Sequence, residues 1–262
     1  MPDYKRTPAD TYDELFVPAL FQQWAPIVLD AARVVPGNTI LDVACGTGVL
    51  ALAAAERVGP SGAVAALDAT PEMLAVARRK STTIDWHDGM AEVLPFADDS
   101  FDAVVSQFGM MFFNDRSAAM REMFRVLRPG GRLAIAVCDS LENSPGYAAF
   151  AALLEHLFGD SIADAFRAPF VLGDPKLLMS ICSNAGIADA EVYQHAGVVR
   201  FESIASLVST ERACAWTLGG LLDDAQFEQL SKESERALQG FVAPDGTIAF
   251  EMPALIVTAR KP

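Results

Sequence analysis

The chain has 262 residues, of which 52% are hydrophobic and 21% are charged, and its formal net charge is −14 at pH 7. This composition is that of a globular protein with a full-sized hydrophobic core. Acidic residues outnumber Lys and Arg by 34 to 20. That balance argues against a nucleic-acid substrate or an anionic membrane surface, because both require a basic patch. The basic triplet Arg78-Arg79-Lys80 is interpreted as the solvated end of a helix.

The cysteines and the N-terminal residues bear on the location of the protein. Cys45, Cys138, Cys182 and Cys214 are far apart in the sequence and form no zinc or redox motif, which favours free thiols in a reducing cytoplasm. Residues 1–6 contain no apolar signal segment, and no apolar run is long enough to cross a bilayer. We therefore expect a cytoplasmic protein without a metal site or a membrane span. The sequence leaves a homodimer open.

The first half of the chain alternates between strand and helix patterns. Residues 11–35 predict an N-terminal helical cap that Pro18 and Pro26 divide. The predicted strands that follow are 39–44, 64–67, 84–86, 102–107 and 132–138, and the predicted helices are 47–58, 71–80 and 117–127. The segment Pro129-Gly130-Gly131 predicts a turn before the fifth strand. This spacing is typical of βαβ units and predicts an α/β fold, namely a Rossmann-like, doubly wound, mostly parallel seven-stranded sheet.

The second half changes rhythm after Asp139. Helical patterns cover 148–158, 175–185, 203–215 and 223–240, and strand patterns cover 191–201 and 247–260. Pro253 predicts a bulge or a sheet edge in the last strand. We expect one domain, divided into the cap at 1–35, a cofactor-binding core at 38–139, a substrate-covering helical insertion with strand six at 140–240, and a C-terminal strand at 247–260.

The loop after the first predicted strand contains two closely spaced glycines. Gly46 and Gly48 permit a sharp turn at which a ligand contacts bare backbone, at the strand end where open α/β sheets bind ligands. Asp68 follows Gly46 by 22 positions and ends the second strand, where a carboxylate accepts hydrogen bonds from a ribose. A helix cap is the open alternative for Asp68.

Asp42 helps to distinguish two kinds of nucleotide at this loop. Gly46, Gly48 and Ala51 also match the dinucleotide fingerprint G-x-G-x-x-A, but a pyrophosphate is repelled by a nearby carboxylate. A cationic ligand without phosphate is attracted to it. The alternative is that Asp42 hydrogen-bonds the N–H groups of its own loop, and both roles are compatible.

The segment Asp42-Val43-Ala44-Cys45-Gly46-Thr47-Gly48 resembles motif I of class I methyltransferases, in particular the ubiquinone/menaquinone C-methyltransferase-like group. Three further blocks resemble that group in the same order, at 88–96, 100–106 and 122–131. The resemblance covers about residues 38 to 138. It implies S-adenosyl-L-methionine as cofactor and transfer of its methyl group to a small molecule.

The resemblance also assigns cofactor contacts. It places Ala44, Gly46 and Gly48 at the methionine part, Asp68 at the ribose, Ala69 and Met73 near the adenine, Met90 or Ala91 along its ring, and Gln107 and Phe108 at the transferred methyl. Asp42, Thr47, Asp88 and Gly89 belong to the same expected cofactor-binding set. Asp88 would accept a hydrogen bond from the adenine amino group. Core packing is the open alternative for Met73 and Met90. Glu122, Arg125 and Gly130-Gly131 are expected to be scaffold.

Histidine is the residue type most often used as a general base. His87 is interpreted as structural, since it sits at a strand end before Asp88. His156, in an apolar helix that should cover the substrate, is the first candidate for a base, and His195 is the second.

Aromatic and sulfur-containing side chains are frequent in the cap, after strand four and after strand five, and they predict an apolar or aromatic acceptor. The residues concerned are Tyr12, Phe16, Phe21, Trp24, 108–113, Phe150, Leu154, Phe158, Phe166 and Phe170. Two alternatives remain open: an S-adenosylmethionine-binding protein without methyl transfer, and a nicotinamide-dependent oxidoreductase.

Overall fold

The computed structural model describes residues 7–213 and 218–262. Its strands, in chain order, are β1 (Thr39–Val43), β2 (Ala63–Asp68), β3 (Asp85–Asp88), β4 (Phe101–Gln107), β5 (Leu127–Cys138), β6 (Glu191–His195), β7 (Val198–Phe201), β8 (Ile248–Glu251) and β9 (Ala254–Arg260). Seven of them form one sheet in the order β3-β2-β1-β4-β5-β9-β6, and β7 pairs with β8 in a separate two-stranded sheet.

The helices surround this sheet and fill the segments between its strands. They are α1 (Pro8–Thr11), a π-helix (Tyr12–Phe21), α2 (Trp24–Ala31), α3 (Val49–Val58), α4 (Pro71–Lys80), α5 (Arg116–Val126), α6 (Pro145–Phe158), α7 (Asp160–Arg167), α8 (Pro175–Asn184), α9 (Ile204–Ala213) and α10 (Asp224–Ala237). Short 3₁₀ turns lie at Gly59–Ser61, Met110–Phe112, Leu141–Asn143, Ala168–Phe170, Leu218–Gly220 and Gln239–Phe241.

The central strands of the large sheet are parallel, and β9 is antiparallel to both β5 and β6. Strands β1, β2 and β4 are almost entirely buried, as expected for a parallel sheet with helices on both faces. This confirms the predicted α/β, mostly parallel seven-stranded fold. Parallel pairing brings the carboxyl ends of β1, β2 and β4 to one edge of the sheet, where open α/β sheets bind ligands.

Two predicted strands are divided in the structure, and their halves belong to different sheets. The strand predicted at 191–201 breaks between β6 and β7, because Gly197 packs so closely against Trp24 that a Cβ there would lie 2.2 Å from the indole ring. The strand predicted at 247–260 breaks at Pro253, between β8 and β9. Proline has no N–H to donate to a ladder, so the chain leaves one sheet there and enters the other instead of forming a bulge.

Smaller corrections concern other prolines. The cap is helical as predicted, but Pro18 lies within the π-helix and Pro26 in the first turn of α2, where its missing N–H breaks no helical bond. The actual break falls at Gln22-Gln23. Residues 129–131 fall within the bounds of β5, but the pairing with β4 passes from Leu127 to Arg132 and Gly130 has φ of 81°, so the chain bends at the predicted turn. Helix α7 was not predicted.

The basic triplet at the end of α4 holds the cap in place. Arg79 is paired with Asp10, and Lys80 is paired with Asp13 and donates to the carbonyl oxygen of Thr47 at 3.0 Å. These residues are exposed at the end of the helix, as interpreted, and two of them also pair with the cap. Most buried side chains of the cap, the sheet and the later helices form one hydrophobic core, and Ala9, Met73 and Val76 form a second, small cluster between the cap and α4. The division into one domain with the segments given above stays a prediction.

Three further observations concern predictions made from composition. Cys45, Cys138 and Cys182 are buried free thiols, and Cys214 lies outside the described residues. In the part of the chain that the structure describes, none of the helices combines the length and the apolar character that crossing a membrane requires. Within the same ranges, no group of three or more His, Cys, Asp or Glu side chains is placed to hold a metal ion.

Candidate active site

The loop between β1 and α3 has a left-handed backbone at three positions. Ala44 has φ of 60°, Gly46 has φ of 56° and Gly48 has φ of 89°. Left-handed backbone at a residue with a Cβ, as at Ala44, is uncommon and concentrates at functional sites. A Cβ on Gly46 would have no atom within 4 Å, so this glycine borders open space.

Gly48 is required for a different reason. A Cβ on it would lie 2.6 Å from the ring of Trp86, behind the loop, and Gly48 does not line the cavity described below. The structure thus places Gly48 as a packing residue, in contrast to its expected contact with the cofactor.

A cavity of about 370 Å³ opens at the carboxyl edge of the sheet, between the glycine loop and the cap. Twelve of the predicted cofactor residues line it: Asp42, Ala44, Gly46, Thr47, Asp68, Ala69, Met73, Gly89, Met90, Ala91, Gln107 and Phe108. The fold therefore brings residues from β1, β2, β4 and the loop after β3 into one site. Their individual roles stay predictions.

Asp68 connects the end of β2 to the glycine loop. Its Oδ2 accepts a hydrogen bond from the Gly46 N–H at 2.7 Å, and its Oδ1 accepts one from the Thr70 N–H at 2.8 Å, just before α4. Burial raises the pKa of the Asp68 carboxyl. Each oxygen still has a lone pair for a ligand, so the loop contacts and a ribose contact are compatible.

Asp42 is fully buried and lines the same cavity. Burial, followed by the charge of Asp68, raises the pKa of the Asp42 carboxyl well above its ordinary value, and the nearby Ala51 N–H lowers it in part. Within residues 7–213 and 218–262, neither carboxylate oxygen reaches hydrogen-bond geometry with another group. The alternative in which Asp42 bonds the N–H groups of its own loop is therefore wrong, and Asp68 provides that contact at Gly46.

The end of β4 forms the opposite wall. Gln107 donates from Nε2 to the carbonyl oxygen of Phe21 at 3.0 Å, which ties β4 to the cap, while its buried Oε1 has no partner among the described residues. Phe108 has φ of 54°, so the end of β4, like the end of β1 at Ala44, carries a left-handed residue with a Cβ. The next residue, Gly109, packs against Ala44: a Cβ on Gly109 would lie 2.4 Å from the Ala44 Cβ.

The loop after β3 is held from below by α5. Glu122 accepts a hydrogen bond from the Leu94 N–H at 2.9 Å, and Arg125 donates to the carbonyl oxygen of Phe96 at 2.9 Å. Arg125 and Glu122 are also paired with each other, at 2.7 Å. These contacts give Glu122 and Arg125 the scaffold role that was expected and fix the loop that carries Met90.

Some predicted site residues lie outside the cavity. Asp88 ends β3 beside Asp68 but is exposed and does not line the cavity. His156 is exposed on the last turn of α6, and His195 packs its ring edge against Trp24. His87 contacts Asp85 and the ring of Phe96. No histidine lines the cavity in the described part of the chain, so the prediction of His156 as general base is not supported by its position.

A second group of lining side chains, called here the aromatic half of the cavity, is aromatic or sulfur-containing. Several side chains predicted for the acceptor line it, namely Tyr12, Phe16, Phe21, Met111, Phe112, Phe113, Phe166 and Phe170. Trp24, Phe150, Leu154 and Phe158 do not line it; they pack in the core or against it. The cap and the segment after β5 thus both cover this half.

Glu211 also lines the cavity, and sequence reasoning missed it. It lies on α9, is 4% exposed, and its burial raises the pKa of its carboxyl to about 8. A signal was present in the sequence: Glu211 follows Ile204, Leu207 and Val208 at helical spacing, which places a carboxylate on an apolar helix face. Tyr147, Cys138 and Met252 are further lining residues that were not predicted.

The sheet order, the antiparallel β9 and the site at the carboxyl ends of β1, β2 and β4 are those of the class I S-adenosylmethionine-dependent methyltransferases. A solved structure with this fold is that of phospholethanolamine N-methyltransferase 2 of Haemonchus contortus, in complex with phosphomonomethylethanolamine and S-adenosylhomocysteine; it is 18% identical, with a TM-score of 0.61 over 99% of this chain and 59% of that one. More particularly, the chain belongs to the ubiE/COQ5 methyltransferase family, whose model matches residues 7–199.

Curated relatives agree with this family. The chain is 41% identical over 133 residues to a demethylmenaquinone methyltransferase of Listeria monocytogenes, across 49% of this chain and 56% of the relative. It is 32% identical over 200 residues to a ubiquinone/menaquinone biosynthesis C-methyltransferase of Hahella chejuensis, across 70% of this chain and 80% of the relative. The chain thus spans little more than half the length of the first relative. The resemblance inferred from motif I is confirmed.

Proposed function

We propose that the protein transfers a methyl group from S-adenosyl-L-methionine to a small aromatic acceptor of the quinol type. The observation that carries this proposal is a single cavity whose lining combines the buried carboxylates Asp42 and Asp68 with many aromatic rings. Family membership and the names of the curated relatives support the same reaction class.

The residues present fit the cofactor. S-adenosylmethionine supplies an electrophilic methyl group, activated by the positive charge on sulfur. Burial raises the pKa of the Asp42 carboxyl and so favours its neutral form, but a cation bound beside it would favour the ionised form, and Asp42 would then attract the cationic methionine end. Asp68 would accept hydrogen bonds from the ribose. Thr47 Oγ1 and Gln107 Oε1 are buried polar atoms without partners in the described residues, available to a bound ligand. The open side of Gly46 leaves space against the backbone.

The aromatic half orients the acceptor and excludes water. Flat rings such as Phe108 and Phe166 provide apolar faces on which an aromatic acceptor packs, and stacked or edge-to-face geometries are both accessible. Methyl transfer to a well-aligned acceptor depends mainly on positioning in a dry site. A cytoplasmic location, a homodimer and the absence of nucleic-acid binding stay predictions.

Two measurements test the proposal. Calorimetric titration should detect binding of S-adenosylhomocysteine and no binding of NADH. Incubation with S-adenosylmethionine and a panel of phenols, naphthols and reduced quinones should release S-adenosylhomocysteine with at least one acceptor. Binding without release across the panel would favour a binding protein that has no transfer activity, and binding of NADH alone would favour an oxidoreductase.

Replacing Asp68 by alanine should weaken binding of S-adenosylhomocysteine by about 1–3 kcal/mol, because ribose hydroxyls and the Gly46 and Thr70 N–H groups lose their acceptor. The measurement is calorimetric titration, with a thermal melt to monitor folding. Asp85→Ala is the matched control, since Asp85 is an exposed aspartate on the adjacent strand. Equal affinity of the Asp68 variant and the native protein for S-adenosylhomocysteine would show that Asp68 does not bind the cofactor.

A further inference from the structure

Glu211 has no described partner that explains its burial. It lies on the apolar face of α9 with Leu207 and Val208, both buried. Within residues 7–213 and 218–262, no hydrogen bond or neighbouring charge offsets the loss of water at its carboxyl. A buried carboxyl without a partner costs free energy, so such a group persists in a site mainly where a ligand uses it.

The charged groups near Glu211 do not account for its raised pKa, so burial is the cause. The elements packed against α9 are α1, the π-helix, β7, the 3₁₀ turn 218–220 and α10. Their titratable or charged groups, together with Arg212 of α9 itself, are Asp10, Tyr12, Asp13, Glu14, Arg200, Asp224, Glu228, Lys232, Glu233, Glu235 and Arg236. Arg212 is paired with Asp224 at 2.5 Å. None of these charges contributes to the shift in the pKa of Glu211, which burial raises to about 8.

The other carboxylates of the cavity have different positions or partners. Asp42 and Asp68 stand at the glycine loop, and Glu92 accepts hydrogen bonds from the Asn114 and Asp115 N–H groups at 2.7 and 3.2 Å. Among the lining carboxyls of the described residues, Glu211 is therefore the one that lies neither on β1 or β2 nor in a hydrogen bond with the protein. Because no histidine lines the cavity there, it is also the group whose basicity suits proton transfer near neutral pH.

We propose that Glu211 accepts the proton of a ring hydroxyl on the acceptor and so makes the acceptor nucleophilic. This inference rests on the proposed function. The O–H bond breaks, its proton moves to the Glu211 carboxylate, and the electron pair spreads from oxygen into the ring. A bond then forms between the oxygen or a ring carbon and the methyl carbon, while the methyl–sulfur bond breaks and its electron pair stays on sulfur.

The proton balance is complete for either site of attack. After attack through oxygen, the proton on Glu211 passes to water. After attack through a ring carbon, that carbon loses its proton to water, the oxygen recovers the proton from Glu211, and the ring is aromatic again. Each turnover releases one proton and one neutral thioether, and no oxidant or reductant is needed.

The test compares native protein with Glu211→Gln, which keeps the shape of the side chain and removes its basicity. With a phenolic acceptor active in the native protein, kcat should fall by a factor of about 100 or more in the variant. The Kd for S-adenosylhomocysteine should stay within about twofold. Native kcat should rise with pH to an apparent pKa near 8, and the variant should lose that dependence. Glu228→Gln, an exposed glutamate of α10, is the matched control.

The outcomes separate this inference from the proposed function. If native protein binds no S-adenosylhomocysteine and methylates no acceptor, both the proposed function and the role of Glu211 fail. If native protein is active and Glu211→Gln has the same kcat and pH profile, only the role of Glu211 fails. If the variant does not fold, the pH dependence of kcat in the native protein is the test, and a kcat that is constant between about pH 6 and pH 9 overturns the inference. Activity confined to cationic amines would also overturn it.

Discussion

Glu211→Gln is expected to be more stable than the native protein above neutral pH, by about 4 kcal/mol near pH 9. The folded protein gives the Glu211 carboxyl a pKa of about 8, whereas its ordinary value is 4.5. The unfolded chain therefore ionises this group first, and the folded state holds the proton more tightly. Its contribution to stability is complete below about pH 4.5 and is lost as pH rises through about pH 8.

Chemical denaturation at a series of pH values measures this effect. The difference in the free energy of unfolding between Glu211→Gln and native protein should be small near pH 5 and should grow steadily toward pH 9. Comparing the two proteins at each pH removes the contribution of Asp42, whose pKa is also raised and which both contain. Glu228→Gln should follow the native curve throughout. Parallel curves for Glu211→Gln and native protein would show that Glu211 ionises normally in the fold.

Gly109→Ala is expected to destabilise the protein by about 3 kcal/mol and to weaken binding of S-adenosylhomocysteine at least tenfold. The added Cβ would lie 2.4 Å from the Ala44 Cβ and 3.4 Å from Ser106 Oγ. Ala44 is itself held in a left-handed conformation, so neither wall has a flexible side chain that can move aside. The ends of β1 and β4 must separate, and the loop that carries Gly46 moves with them.

Gly240→Ala is the matched control, because a Cβ there would have no atom within 4 Å and the residue does not require a positive φ. A thermal melt and a calorimetric titration on the two variants separate the loss of stability from the loss of affinity. If Gly109→Ala retains native affinity and native melting, the close packing of β1 against β4 does not shape the site.

These predictions concern a site whose halves come from different parts of the chain. The cofactor end consists of strand ends that parallel pairing aligns, which explains why so many predicted residues share one cavity. The rest of the lining comes from the π-helix, the segment after β5 and α9, which are distant from those strand ends in the sequence.

The sequence by itself determined the α/β sheet, the glycine loop, the two acidic strand ends and the family. Local features carry these predictions: β1 and β2 are short apolar runs, Gly46 permits its turn without a side chain, and Asp68 follows at fixed spacing. Helix α4 matches its predicted bounds because Pro71 and the basic residues at its end are local signals.

Only the tertiary structure decided which side chains meet. Glu211 is 169 positions after Asp42, and no local pattern in the sequence indicates that the two side chains line the same cavity. His156 lies on the exposed side of α6, because the tertiary packing of that helix buries its other side. The breaks at Gly197 and Pro253 likewise depend on a contact with Trp24 and on a second sheet. The hydrophobic periodicity of the sequence predicts helices and strands. The packing of their apolar faces against elements that are distant in the sequence determines which side chains form the site.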